Sequence, residues 1–232
     1  MRPVNLFTTF YREQNTHRYN ELVYCLERNL RAGFNHIFIL CDDQETSHEV
    51  AYEAMKLAEL IHGEDSGFNQ KITVDFLDNQ RVTFNHIFAE MRKSKYQGCI
   101  NIMANTDIFF PDLEVFNLFY DCQEQPEKQV LALSRWDWNG DENVTHFNRA
   151  DSQDTWVFFG GANIVTGLEF GFGIAGNDNR LAHEIVQAGY NVTNPSKTIR
   201  TYHVHNTNVR NYVKDGVVVE RVPPPYHLVT PQ

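Results

Sequence analysis

No stretch of this chain reaches the roughly 18 consecutive apolar residues of a membrane span, and its N-terminus carries no apolar segment of signal-peptide length. Cysteine is scarce. Cys25, Cys41, Cys99 and Cys122 are the only four in 232 residues, widely spaced and without a CxxC pair. That spacing argues against a disulfide framework and for buried, reduced thiols in a reducing compartment. An HxxxH spacing is missing, so no all-protein zinc cage is indicated. Positive charge is short as well. A formal charge of −10, with no basic tail or stripe, argues against a nucleic-acid partner held by phosphate neutralisation. These absences lead to the expectation of a soluble, cytoplasmic protein.

What is present is a large aromatic-rich core. Hydrophobic residues make up 42% of the chain, with 17 Phe and 10 Tyr. The first half alternates two periodicities. Short apolar runs at 4–9, 36–41, 72–76, 98–104 and 129–134 read as strands. Between them Tyr19, Leu22, Val23, Leu26 and Leu30, then Val50, Ala54, Leu57, Ala58 and Ile61, then Phe84, Ile87, Phe88 and Met91 recur at helical spacing. Gly33 and Gly63 close the first two helices. Strands alternating with helices of this length predict an α/β fold, a mainly parallel sheet covered on both faces. After Ser134 the chain turns rich in Gly, Asn, Asp and Trp. A strand is expected at 155–159, a last helix at about 179–188, and closing strands at 191–192 and 198–205. No repeat or linker divides the chain. The expectation is one domain over residues 1–216, a half up to 134 and a second half from 135, followed by an irregular tail at 217–232 containing Pro223, Pro224 and Pro225.

Three of these strands end on polar groups: Thr8-Thr9, Asp42-Asp43 and Asn105-Thr106-Asp107. Open α/β sheets bind ligands at the carboxyl edge of their strands. Hydroxyls and an acid there suit a base and ribose, and a carboxylate suits a hard divalent cation on a diphosphate. The plain alternative for the tripeptide is an Asx turn. Arg12 and Arg81 follow strand ends and present planar forks for phosphate oxygens; their plain alternative is a surface ion pair. Arg135, Arg200 and Arg210 are further basic residues near strand ends. His203 and His205 stand two apart in a strand pattern and share a face, so both imidazoles can complete a carboxylate-rich metal site or simply be exposed. Asp178, at the start of the last helix, reads as an N-cap or as a general base. Asp151 and Asp154 add carboxylates before a strand, and Trp136, Trp138 and Trp156 offer faces for stacking on a sugar, at least one of them expected instead in the core.

The ordered set of Asn105-Thr106-Asp107-Ile108, Ser134-Arg135-Trp136-Asp137, Asp151-Ser152-Gln153-Asp154-Thr155-Trp156, Gly176-Asn177-Asp178-Asn179-Arg180, Asn194-Pro195-Ser196 and Tyr202-His203-Val204-His205 resembles small glycosyltransferase domains of the GT-A fold, those of chlorella viruses and bacterial polysaccharide clusters. The resemblance covers roughly residues 3–212. It implies a GT-A (Rossmann-like) fold, a nucleotide-sugar donor, most often a UDP-sugar, a hydroxyl acceptor, and Mn²⁺ or Mg²⁺. By it, Asn105-Thr106-Asp107 stands in the place of the DxD metal motif, with Asn105 a departure from its first acid. Asp107 then makes the metal contact, and His203 or His205 is the late metal ligand. Thr8, Thr9, Arg12, Asp42, Arg81, Asn105 and Thr106 hold the nucleotide. Asp178, or Asp154, is the base of an inverting displacement. Two alternatives stay open. A sugar nucleotidyltransferase would want a glycine-rich basic loop after the first strand, where this chain has Thr8-Thr9-Phe10-Tyr11-Arg12-Glu13. A non-catalytic nucleotide- or carbohydrate-binding module would keep the sheet without the chemistry.

Overall fold

The apolar runs Val4–Phe10 (β1), His36–Cys41 (β2), Ile72–Phe76 (β3) and Ile100–Ala104 (β4) are the parallel half of a central sheet. In this computed structural model, residues 1–140, 144–164, 167–207, 213–214, 217–218 and 220–232 are described; Arg210 lies outside them. β1 and β4 are buried along their whole length, as strands covered on both faces must be. β3 is the edge and is partly exposed.

A two-residue strand at Ile108–Phe109 (β5) follows β4 after a tight turn. Next come Gln129–Leu133 (β6), Trp136–Trp138 (β7), Val144–His146 (β8), Thr155–Phe159 (β9), Asn191–Thr193 (β10) and Tyr202–His203 (β11). The central sheet has seven strands in the order β10-β6-β9-β4-β1-β2-β3, and β9 runs antiparallel between β4 and β6. A second sheet has the order β5-β11-β7-β8. Of the expected closing strand at 198–205 only β11 forms. Thr198 and Ile199 instead bond back to the Pro195 carbonyl in a turn.

Helices cover both faces. Thr16–Arg31 (α1), Gln44–His62 (α2) and Glu114–Asp121 (α4) pack on the side of Leu6, Ile37 and Ile102, while Phe84–Met91 (α3) and Asn177–Gln187 (α5) pack on the side of Phe7, Phe38 and Met103. Most residues of the stripes read from sequence are buried on α1, α2 and α3, with Tyr19, Val23 and Ile61 only partly so. α2 starts earlier than its apolar stripe because Asp43 caps it, accepting from the Thr46 N–H and hydroxyl at 2.8 Å each. α5 is capped differently from the N-cap reading of Asp178. Gly176 holds the cap position at φ 82°, and Asp178 sits within the first turn. A Cβ at Gly176 would also stand 2.8 Å from the Tyr226 hydroxyl, so glycine serves both the left-handed backbone and the close approach of the C-terminal segment.

That segment has little regular structure, yet it is tied down along its length. Val222, His227, Val229 and Gln232 donate backbone N–H groups to the carbonyls of Ala175, Asn179, Ala150 and Asn194. Asn194 is wholly buried. Its Oδ1 accepts from Ser134 N–H at 3.1 Å, and its Nδ2 donates to Ser134 Oγ at 2.9 Å and to the Val229 carbonyl at 3.0 Å. Asn194→Ala strips partners from buried groups on both sides, so a loss of about 2–4 kcal/mol is expected. Urea denaturation would measure it; a change below about 1 kcal/mol would show that the side chain is not the anchor.

Candidate active site

Parallel register brings the carboxyl ends of three strands level: Thr8 lies opposite Ala104 and Thr9 opposite Leu40. They open onto a cavity of about 730 Å³, within the usual size range for small-molecule sites. Thr9, Arg12, Asp42, Arg81, Asn105, Thr106, Asp107, Asp154, Asp178, His203 and His205 all line it. Thr8 does not. Successive strand residues point to opposite faces, and the Thr8 hydroxyl turns to the Ala104 carbonyl at 2.9 Å. Thr9 and Thr106 meet across the floor, where the Thr106 hydroxyl donates to the Thr9 carbonyl at 2.8 Å. Arg12 and Arg81 stand at the rim in exposed ion pairs with Glu45 (2.6 Å) and Glu220 (2.7 Å). Asp42 spends one oxygen on the Val82 N–H at 2.8 Å.

One wall is built around Asp107. The turn after β4 leads at once into β5, and β5 pairs antiparallel with β11 so that Ile108 opposes His203. The Val204 N–H donates to the Asp107 carbonyl at 3.0 Å. This pairing delivers two imidazoles to one carboxylate: His203 Nε2 is 3.2 Å and His205 Nδ1 3.8 Å from Asp107 Oδ2. His203 Nδ1 meets Asp137 Oδ1 at 2.9 Å. A third group arrives from α1. Arg18 donates through Nη2 to Asp107 Oδ2, and through Nη1 to Glu21 Oε2 and the Val204 carbonyl, both at 2.8 Å. Glu21 in turn accepts the N–H groups of Asn206 and Thr207. Burial opposes charge on Asp107, yet His203, His205 and Arg18 together hold its carboxyl well below the usual range. Burial likewise opposes the imidazolium, but Asp107 and Asp137 lift His203 to about 9.

The cavity also carries a second pair of acids. Asp154 immediately precedes β9 and is buried. Its Oδ2 takes Arg135 Nη1 at 3.0 Å, and its Oδ1 takes Asn105 Nδ2 at 2.9 Å. Arg135 also donates through Nε to Asp137 Oδ1 at 2.9 Å and lies over the Phe147 ring. Asp178, across from Asp154, accepts from the Gln153 N–H at 3.3 Å. Burial and the charge of Asp154 push the Asp178 carboxyl up to about 8. The cavity thus opposes an acid held ionised to one that keeps its proton.

Asp107, His203 and His205 offer ligand atoms that all lie within 4.8 Å of one another. A carboxylate with two imidazoles suits a borderline divalent ion, and His205 Nε2 is buried without a partner, so the donor set fits a cation. The tryptophans are placed otherwise than for stacking on a sugar. Trp156 is core on β9, Trp136 packs against His146 and Arg200, and Trp138 against Phe109 and Tyr202; none lines the cavity. Arg18 went unread in the sequence. Its signal is position, four before Leu22 and seven before Cys25 on the core-facing stripe of α1, where an arginine needs buried acid partners.

The mainly parallel sheet, helices on both faces and the antiparallel β9 define a GT-A-like Rossmann fold. Among solved structures, the crystal structure of S. aureus TarS 1-349 superposes with a TM-score of 0.50 at 12% identity, over 87% of this chain and 60% of that one. S. aureus TarS does so with a TM-score of 0.53 at 9% identity, over 88% and 37%. This chain spans less than two thirds of the length of either structure, and at such identity the likeness is one of fold. No protein-family model matches the chain, and no curated protein does. No helix among the described residues is long and apolar enough to cross a membrane.

Arg18→Met would leave Asp107 and Glu21 without their shared cation in a site where the arginine side chain is 4% exposed. The expected loss is about 3–5 kcal/mol. Adding Asp107→Asn should recover part of it, a coupling of about 1 kcal/mol or more by denaturant midpoint. Strict additivity would mean that the pair does not interact.

Proposed function

We propose that this chain is a glycosyltransferase that moves a sugar from a nucleotide-sugar donor, a UDP-sugar first, to a hydroxyl acceptor with inversion. The observation that carries the reading is the pairing, within one cavity at the carboxyl edge of a GT-A-like sheet, of a cation-ready Asp107 cluster with a proton-holding Asp178. On this reading residues 1–216 work as one domain. The buried thiols of Cys25, Cys41 and Cys99 favour a cytoplasmic setting.

Thr9, Thr106 and the free oxygen of Asp42 hold the nucleoside at the strand ends, Asn105 borders them, and Thr8 supports Thr9 from behind. Arg12 and Arg81 exchange Glu45 and Glu220 for phosphate oxygens, a swap that exposed pairs make at little cost. Asp107, His203 and His205 hold Mn²⁺ or Mg²⁺, which when bound supplies Lewis-acid neutralisation of the leaving diphosphate. Arg18 remains behind Asp107 and keeps its carboxylate oriented. On the acceptor side Asp178 takes the hydroxyl proton. Asp154 is the weaker candidate for that role, because both its oxygens already accept hydrogen bonds.

A base works only when deprotonated, and the Asp178 carboxyl is raised to about 8. Transfer should therefore climb with pH, approaching tenfold per unit below that value, and level off above it. Asp178→Asn should retain nucleotide binding and lose transfer; transfer that persists in this variant would remove Asp178 from the mechanism. The primary test is calorimetric titration of UDP, GDP and dTDP with and without Mn²⁺, followed by assay of free sugar released from the matching donor. UDP binding strengthened by Mn²⁺, with slow sugar release, is expected. Binding without any release would leave a binding module, and no nucleotide binding would overturn the transferase reading.

A further inference from the structure

The residue that departs from an acidic motif, Asn105, is explained by what stands opposite it. β4 and β9 pair antiparallel with Ala104 against Thr155, and the ladder continues one step further: the Asn105 N–H donates to the Asp154 carbonyl at 3.1 Å. Residues directly opposed in such a ladder project their side chains on the same face. The Asn105 side chain accordingly meets that of Asp154, with Nδ2 2.9 Å from Oδ1. Only the amide nitrogen can give this bond, because an ionised carboxylate has no hydrogen to donate. Arg135 takes the other oxygen at 3.0 Å. A carboxylate at position 105 would have nothing to donate and would place like charge head-on against Asp154, which is destabilising in a ladder.

We propose that Asn105 is a positioning residue for the Asp154–Asp178 carboxyl pair, standing outside the ligand set of the Asp107 cation site. The assignment of Asp178 as the base rests on the transferase reading above; the geometry of Asn105 does not. Asn105 and Arg135 each engage one oxygen of Asp154 and fix its carboxyl beside Asp178. Asp178 is faced by Asp154 from the segment before β9, by Arg135 from the segment before β7, and by the Gln153 N–H. Asp154 is the neighbouring carboxyl in that set, and its charge favours the proton on Asp178. The asparagine is thus matched to Asp154 and is not the residue of a lost metal contact.

The test uses the full chain and two readouts that need no turnover. One is the affinity for Mn²⁺, followed by electron paramagnetic resonance of the free ion. The other is the Asp178 titration midpoint, followed by carboxyl ¹³C NMR. In Asn105→Asp the Mn²⁺ affinity should stay within about threefold of the parent, absence of binding in both counting as unchanged. The Asp178 midpoint should rise by about half a pH unit or more, as a second carboxylate joins Asp154. An affinity gain beyond that limit would overturn the proposal, because position 105 would then face the cation. A midpoint that stays put would also overturn it. Should Asn105→Asp not fold, Asn105→Ala decides: unchanged Mn²⁺ affinity with kcat reduced about tenfold at unchanged donor KM supports positioning, whereas weakened Mn²⁺ binding or unchanged kcat sinks it. Because the first two readouts do not require catalysis, a failure of the transferase reading would leave them interpretable.

Discussion

A carboxylate buried in the turn after a central strand has to be met by positive charge, and much of this molecule is arranged around that demand at Asp107. Arg18 comes from α1 and His203 from β11, and each is itself buried and needs a second acid. Arg18 finds Glu21, whose other oxygen orders the backbone of Asn206 and Thr207. His203 finds Asp137, which shares Arg135 with Asp154. Alternating charges therefore run from α1, through the small sheet, to the start of β9. Desolvating such groups is costly, and the cost is met only when every member keeps its partner. The network runs beside the apolar cluster of Cys25, Phe109 and Val204, with Tyr24, Trp138 and Tyr202, that joins the same elements.

The same arrangement divides the acids of the cavity by role. Cations surround Asp107 and keep it ionised, whereas Asp178 has a backbone N–H and a neighbouring carboxylate, so burial wins and the proton stays. Environments that push two acids apart are the physical basis for different tasks in one site. In the proposed reaction the ionised side serves the leaving diphosphate and the protonated side serves the acceptor. Asn105 faces Asp154 on the protonated side.

Much of this was legible in the chain itself. Helical stripes and unbroken apolar runs identified α1 to α3 and β1 to β4, since period and burial are local properties of sequence. The polar strand ends gathered at one edge because parallel strands must all point the same way. Other features were not legible. The antiparallel insertion of β9 depends on which strand neighbours which, and β9 reads the same in either direction. Thr8 and Thr9 look equivalent in sequence, but the pleat sends one to the β4 backbone and the other to the cavity. The expected core tryptophan is Trp156, whereas Trp136 and Trp138 pack within the small sheet and not on the cavity.

The sequence alone determined the α/β alternation and the polar residues at the strand ends, because each follows from the pattern along a single element; His205 lies beyond β11, so its approach to Asp107 was decided by the tertiary structure. Tertiary structure alone decided which charges meet. Arg18 and Asp107 are 89 positions apart and Asn105 and Asp154 are 49, and nothing in either segment names the other. Such contacts come from strand order and register. The electrostatic character of every acid in the cavity is set by those neighbours, not by its own place in the chain.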